Sequence, residues 1–211
     1  MTALLHYAWL KGMRDRSLPV FFAIAPIQIA AMIIGFAVIK RQVRYPLAAL
    51  NFDEGDIAAI TILLPSFVAT LSAFWTFRSE VATRAINSFV MGSRPLAVVA
   101  SLVVFGFATA MAGVAALIAT AVILTATVPA AVASMAFTAA VASVAGASLG
   151  ALYVTISPQP GMLVWTFVAG IPLVPFIFDP ANRAELLTVG TVISLVAIGI
   201  ATVLLRRRCA S

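Results

Sequence analysis

The segment LAVVASLVVFGFATAMAGVAALIATAVIL, residues 96–124, has no charged side chain, and the charge-free stretch that begins after Arg94 continues to Phe178. A helix that crosses a bilayer needs about 20 apolar residues, so this stretch is long enough for several crossings. Two breaks divide it, a β-branched and proline-containing segment at 125–129 and the turn sequence SPQPG at 157–161. The breaks predict a third, a fourth and a fifth span at 96–124, 130–156 and 162–178.

Charged residues mark the limits of three more apolar segments. They predict a first span that ends before Lys40 and Arg41, a second that ends before Arg78, and a sixth that ends before Arg206. The chain is 63% hydrophobic and 9% charged, whereas a soluble domain has about 25% charged residues. We therefore predict an all-α membrane protein, a single transmembrane domain over 1–211 with six transmembrane helices, the remaining three at 19–39, 57–77 and 186–205.

The distribution of charge predicts that both termini are cytoplasmic. With six spans in that orientation, nine of the thirteen Lys and Arg residues lie on the cytoplasmic side, and five of the seven acids lie on the other. Basic residues favour the cytoplasmic side of a membrane. We therefore expect a multi-pass protein of the inner (cytoplasmic) membrane. The high pI of about 10.5 then indicates attraction to anionic lipid, since no basic and aromatic pattern typical of nucleic-acid binding is present.

Residues that carry chemistry are scarce. None of the six predicted spans contains an Asp, Glu, Lys, Arg or His, and the only His and the only Cys, His6 and Cys209, are near opposite ends of the chain. No P-loop sequence is present. We therefore expect neither an enzyme nor a bound cofactor or metal. Asp53, Glu54 and Asp56 could bind a cation, but a solvated loop is the simpler interpretation.

Small residues and prolines predict how the spans pack. Gly146 and Gly150 form a G-x-x-x-G pair, which allows two helix backbones to approach closely within one chain or between two copies. Pro65, Pro172 and Pro175 lie inside spans, where proline removes a backbone hydrogen bond and bends a helix. We expect helix packing at the two glycines and kinks at the three prolines.

The N-terminal segment 2–18 has apolar residues at helical spacing, among them Trp9 and Met13, opposite Lys11 and Arg14. This pattern predicts an amphipathic helix in the membrane interface. A plain membrane anchor and a role in coupling remain equally open.

A second amphipathic helix is predicted in the cytoplasmic loop 78–95. Ser79 can cap its beginning, Glu80 and Arg84 have the spacing of an ion pair, and Gly92 and Pro95 are stop signals. Its apolar stripe could dock into a soluble partner or rest on the membrane. That stripe consists of Val81, Ala82, Ala85, Ile86, Phe89 and Val90.

Six spans, an amphipathic N-terminal helix and a helical loop after the second span resemble the membrane subunit, or permease, of ABC-2 type ABC transporters. That family has an E-x-G-T pattern in this loop, and this chain has Glu80-Val81-Ala82-Thr83, with Ala82 in place of the glycine. The resemblance implies a dimer of membrane subunits and two cytoplasmic ATPase subunits that bind ATP and Mg. It also implies export of a hydrophobic or amphipathic substrate. The residues expected to contact the ATPase are Ser79, Glu80, Ala82, Thr83, Arg84, Ala85, Ile86 and Phe89.

Within that family, the run IPLVPFIF at 171–178 and the residues Val90-Met91-Gly92 with Pro95 are similar to the CcmB-like haem-exporter membrane subunits. A His-Trp pair of that subgroup is absent from the third span, where Gly106, Phe107 and Ala108 stand. Two other classes stay open. A membrane assembly or scaffold subunit would have a stable partner without ATPase stimulation, and a membrane-embedded enzyme would keep a bound cofactor or metal.

Overall fold

A computed structural model of the chain describes residues 2–14, 54–82, 95–125, 132–161 and 183–210. Every regular element in this part of the chain is an α-helix, as the sequence predicted, and it contains no strand. The predicted first and fifth spans, 19–39 and 162–178, lie outside the described residues. The helices are α1 (Thr2–Arg14), α2 (Glu54–Ala82), α3 (Pro95–Thr125), α4 (Val132–Ile156) and α5 (Arg183–Ala210).

Three of the described helices are long and apolar enough to cross a membrane, which indicates a membrane protein. Their apolar segments are Pro95–Ala115 in α3, Ala136–Ile156 in α4 and Leu187–Arg208 in α5. A helix inside a bilayer satisfies its own backbone polar groups and needs only apolar side chains outside, which these three segments supply. α2 contains the predicted second span and includes Pro65 within the helix.

α2, α4 and α5 run in the same direction. Cβ atoms placed on Gly146 and Gly150 would meet Ser66 and Thr70 respectively, so the contacts advance together along α4 and α2. At the end of α4, the Ile156 carbonyl accepts a hydrogen bond of 2.9 Å from Arg208 near the end of α5. The C-terminal ends of these three helices therefore lie at one end of the bundle.

α3 runs in the opposite direction. Gly106 of α3 lies beside Ala69 and Ala73 of α2, and the ring centroid of Phe105 lies 6.4 Å from that of Phe77. From these contacts the described core extends toward the beginning of α3 and toward the end of α2. Val98 and Leu102 thus share a core with Val81, Val154 and Leu205. The beginning of α3 consequently lies at the same end of the bundle as the end of α2.

The two ends of the bundle differ in charge. One end has the basic residues of α1, the end of α2 and the end of α5, and we call it the basic end. Its cations are Lys11, Arg14, Arg78, Arg206, Arg207 and Arg208. The opposite end has the beginnings of α2 and α5, where Glu54, Asp56, Arg183 and Glu185 stand in the sequence. Charges that are spread along the sequence are therefore sorted in space by the helix directions.

Candidate functional site

The site built best by the described residues is at the basic end, where α1 lies against α3 and α2. The Lys11 ammonium donates a hydrogen bond of 2.8 Å to the backbone carbonyl of Thr76 on α2. Leu5 packs against the buried core on the same side of α1. A hydrogen bond from a charged donor is stronger than one between neutral groups. α1 is thus attached to the last part of α2 by one polar contact and one apolar contact.

The other side of α1 exposes large apolar and aromatic side chains. Tyr7, Trp9, Leu10 and Met13 are all exposed. Aromatic and apolar side chains beside basic residues are typical of helices at the level of the lipid headgroups. Sequence analysis grouped Lys11 with the polar face of α1, whereas the structure turns it toward α2. No local sequence pattern distinguishes a lysine on the polar face from one that is bonded to α2, because the acceptor is a backbone carbonyl far away in sequence.

A second polar contact marks the end of α2. The Arg78 guanidinium carbon lies 5.4 Å from the centre of the exposed Trp75 ring. This is the geometry of a cation–π interaction, which contributes about 0.5–1 kcal/mol at an exposed site. A Trp and an Arg together at this level are typical of the boundary between hydrocarbon and water.

The predicted coupling loop begins as a continuation of this helix. α2 extends to Ala82, so Ser79 lies inside α2 and not at the start of a new helix, and Glu80 and Ala82 lie in its last turn. Val81 is buried in the core. A displacement of this turn would therefore move the rest of α2 directly. The predicted contacts Thr83, Arg84, Ala85, Ile86 and Phe89 lie outside the described residues.

Three glycines bring α2, α3 and α4 into close contact next to this site. Cβ atoms on Gly146 and Gly150 would collide with the backbone of Ser66 and the carbonyl of Thr70. Gly106 on α3 was not selected from the sequence, yet a Cβ there would lie 2.8 Å from the Ala69 carbonyl oxygen. Gly106 has no second glycine four residues away, so no G-x-x-x-G spacing marks it in the sequence.

One of the three prolines predicted to kink a helix lies in the described part of the chain. Pro65 is buried within α2, one residue before Ser66 at the close contact with α4. Pro172 and Pro175 lie outside the described residues.

Buried polar groups in the bundle are mainly hydroxyls that bond within their own helix. They donate to carbonyls four residues earlier, which satisfies them without a partner helix. Among the described residues, Thr76 is the exception, because its buried hydroxyl has no hydrogen-bond partner. It belongs to the same residue whose carbonyl accepts from Lys11. The hydroxyls bonded within a helix include Ser101, Thr109, Ser143, Ser148 and Ser194.

Across the described ranges, no three His, Cys, Asp or Glu side chains come close enough together to hold a metal ion. What the site offers is mechanical: a surface helix attached to the last part of α2 and packed against α3. Comparison of the chain with protein-family models, with curated proteins and with solved structures gave no significant match. The structure thus defines the class, a helical membrane protein.

Proposed function

We propose that this chain is the permease subunit of an ATP-driven ABC-2 type transporter, an exporter of a hydrophobic or amphipathic substrate. ATP would be hydrolysed on separate cytoplasmic subunits, with Mg bound there, and a second membrane subunit would complete the pathway. The proposal starts from the resemblance in span number, N-terminal helix and coupling loop. The geometry of the basic end supports it further.

The observation that carries the proposal is the attachment of α1 to the last turns of α2 through Lys11 and the Thr76 carbonyl. α2 ends at Ala82 and α3 begins at Pro95, and both points are at this end. A force on the connection 83–94 would therefore act on α2, α3 and α1 together. A transporter driven by a soluble ATPase needs such a connection between its cytoplasmic surface and its spans.

The close packing of α2, α3 and α4 supports a rigid-body step. With backbones in contact at Gly106, Gly146 and Gly150, these helices cannot slide past one another without collisions. Packed elements of this kind shift as a unit between two arrangements. We propose that ATP binding on the partner moves the last turn of α2, and that α3 and α4 follow.

The charge distribution supports the orientation that coupling requires. Six cations gather at the basic end, and basic residues favour the cytoplasmic side. This orientation faces Glu80 and the connection that follows α2 toward a cytoplasmic ATPase, in the inner membrane. Glu80 and Arg84 are the proposed polar contacts, and Ala85, Ile86 and Phe89 are the proposed apolar ones.

The test is purification of the tagged full chain in mild detergent, with identification of co-purifying proteins and an ATPase assay. We expect a P-loop ATPase with the wild type and its loss in the Glu80→Ala, Phe89→Ala double variant. Glu185→Ala is the matched control, because this exposed acid lies at the opposite end of the bundle. Recovery of intact chain with a stable partner but no ATPase would favour the scaffold class.

A second variant separates docking from coupling. Lys11→Met removes the bond to the Thr76 carbonyl, and we expect the ATPase to remain bound while its stimulation by the chain falls. Lys11→Arg keeps a charged donor and should restore part of the stimulation. If Lys11→Met left stimulation unchanged, α1 would be a membrane anchor and not part of the coupling path.

A further inference from the structure

We infer that the exposed face of α5 binds an anionic phospholipid, with the headgroup phosphate at Arg207 and an acyl chain along Gly199. This inference does not depend on the transport function. The face forms an open groove in the second half of α5. Its lining residues are Val196, Gly199, Ile200, Val203, Leu204 and Arg207.

The groove has the length of one leaflet. Val196, Ile200, Val203 and Arg207 recur at the spacing of one helix face. At a rise of about 1.5 Å per residue, the distance from Val196 to Arg207 is about 16 Å. Half of a hydrocarbon core about 30 Å thick is about 15 Å. When Val196 is near the middle of the bilayer, Arg207 is therefore at the level of the headgroups.

Gly199 makes room for a chain. No heavy atom lies within 4 Å of the place where its Cβ would be. Beside it, Val196, Ile200 and Val203 are all exposed. The result is a notch with apolar walls in the described surface, and a flexible acyl chain can fill a notch of this kind through dispersion contacts.

The charges at the end of the groove favour a phosphate. Arg208 is engaged with the Ile156 carbonyl, whereas Arg207 lines the groove and is exposed. The planar guanidinium of arginine binds phosphate oxygens in pairs. The acidic side chain that the structure describes, Glu185, belongs to the first turn of α5, at the other end of that helix.

The same charges disfavour a second copy on this face. Two copies in one membrane have the same orientation, so paired α5 faces would bring Arg206 and Arg207 close to the same residues of the partner. Juxtaposed like charges are costly. A lipid with a negative headgroup matches the apolar groove and its cationic end at once, whereas a second copy matches only the groove.

The test is native mass spectrometry of the purified full chain, after exchange into bilayer discs of phosphatidylglycerol or phosphatidylcholine. We expect retained phosphatidylglycerol on the wild type and little retained phosphatidylcholine. Arg207→Gln should lower phosphatidylglycerol retention about fivefold, the equivalent of about 1 kcal/mol for one basic residue near the surface. Arg206→Gln is the matched control, since it removes an equal charge next to the groove, and we expect less than a twofold change.

A second variant tests the apolar part. Gly199→Leu fills the notch, and we expect it to displace the lipid while Arg207 remains. If Arg206→Gln and Arg207→Gln lowered phosphatidylglycerol retention equally, the lipid would be held by diffuse charge attraction and not at a defined site, which would overturn the proposal. Equal retention of the two lipids would also overturn it. So would a Gly199→Leu chain that keeps its lipid but changes from dimer to monomer, because the groove would then belong to a second copy.

Discussion

α4 has two parallel neighbours, α2 and α5, and the two contacts are built differently. Against α2, Gly146 and Gly150 bring the backbones into direct contact. Against α5, a Cβ on Gly190 would make only ordinary contacts, with the Val141 side chain at 3.5 Å and the Ala145 Cβ at 4.0 Å. Glycine therefore brings two helix backbones together against α2, whereas Gly199, on the exposed face of α5, leaves a notch. The neighbour, and not the glycine itself, determines which of these results.

Burial follows the same division. The apolar segments of α3 and α4 are 61% and 50% buried, but that of α5 is only 17% buried. α5 reaches the core through Ala201 and Leu205, with Ile198 packed against it. Lipid offers apolar side chains as good an environment as another helix, so helix contact depends on close packing. α2, α3 and α4 thus form the rigid part of the described bundle, and α5 lies at its edge.

The largest expected effect is the difference between two glycine-to-alanine substitutions, one at the contact between α2 and α4 and one on the exposed face of α5. Gly146→Ala places a methyl group against the Ser66 backbone, which cannot move aside as a side chain could. We expect a loss of at least about 3 kcal/mol in the free energy of unfolding. Gly199→Ala meets open space and should be neutral or stabilise α5 by up to about 1 kcal/mol, through the better helix propensity of alanine.

Both values can be measured by unfolding in mixed detergent micelles, with helicity followed by circular dichroism. Similar effects of the two alanines would break the comparison, because they would mean that α2 and α4 separate easily or that Gly199 is covered.

A smaller effect separates the two faces of α5 itself. Leu205 is fully buried and Leu195 is 67% exposed. Leu205→Ala should cost about 3 kcal/mol, since it removes contacts and leaves a cavity in the core. Leu195→Ala should change stability by less than about 0.5 kcal/mol.

The same unfolding measurement checks this pair. If Leu195→Ala cost as much as Leu205→Ala, the exposed face of α5 would be a protein contact, and the division between a rigid part and an edge would fail.

Two of the predicted ranges coincide closely with described helices, because length and apolarity determine them. The third span, predicted at 96–124, is the helix Pro95–Thr125, and the fourth, predicted at 130–156, is Val132–Ile156. The second span was predicted to end at Phe77, but α2 continues to Ala82. Hydropathy marks where a helix leaves the hydrocarbon, not where its hydrogen bonding stops, and Arg78, Ser79 and Glu80 do not break a helix.

The site was harder to predict because its contacts are distant in sequence. The spacing of Gly146 and Gly150 indicated a close helix contact but not which helix lies opposite. Gly106 completes that contact without any spacing motif. The bond from Lys11 to the Thr76 carbonyl has no sequence signal at all, because every residue type offers the same acceptor. Tertiary packing determines such contacts.

The smallest expected effect concerns a hydrogen bond between α2 and α4. The Thr70 hydroxyl lies 2.8 Å from the Ser66 carbonyl oxygen of its own helix and 2.9 Å from that of Gly146 on α4. The buried Thr109 hydroxyl bonds only within α3, to Phe105. Valine keeps the shape of threonine and removes the hydroxyl, so the two variants differ chiefly in the bond between helices. We expect Thr70→Val to cost about 0.6 kcal/mol more than Thr109→Val, the average for a hydrogen bond between membrane helices.

Equal costs would assign the stability of this interface to backbone packing at the glycines alone. A difference well above about 1.7 kcal/mol, the largest such value expected, would mean that the hydroxyl sets the register of α2 against α4. In that case the Thr70 hydroxyl fixes the position of α2 along the axis of α4, in addition to the close packing of the two backbones. A displacement of the last turn of α2, as proposed for coupling to an ATPase, would then move α4 together with α2.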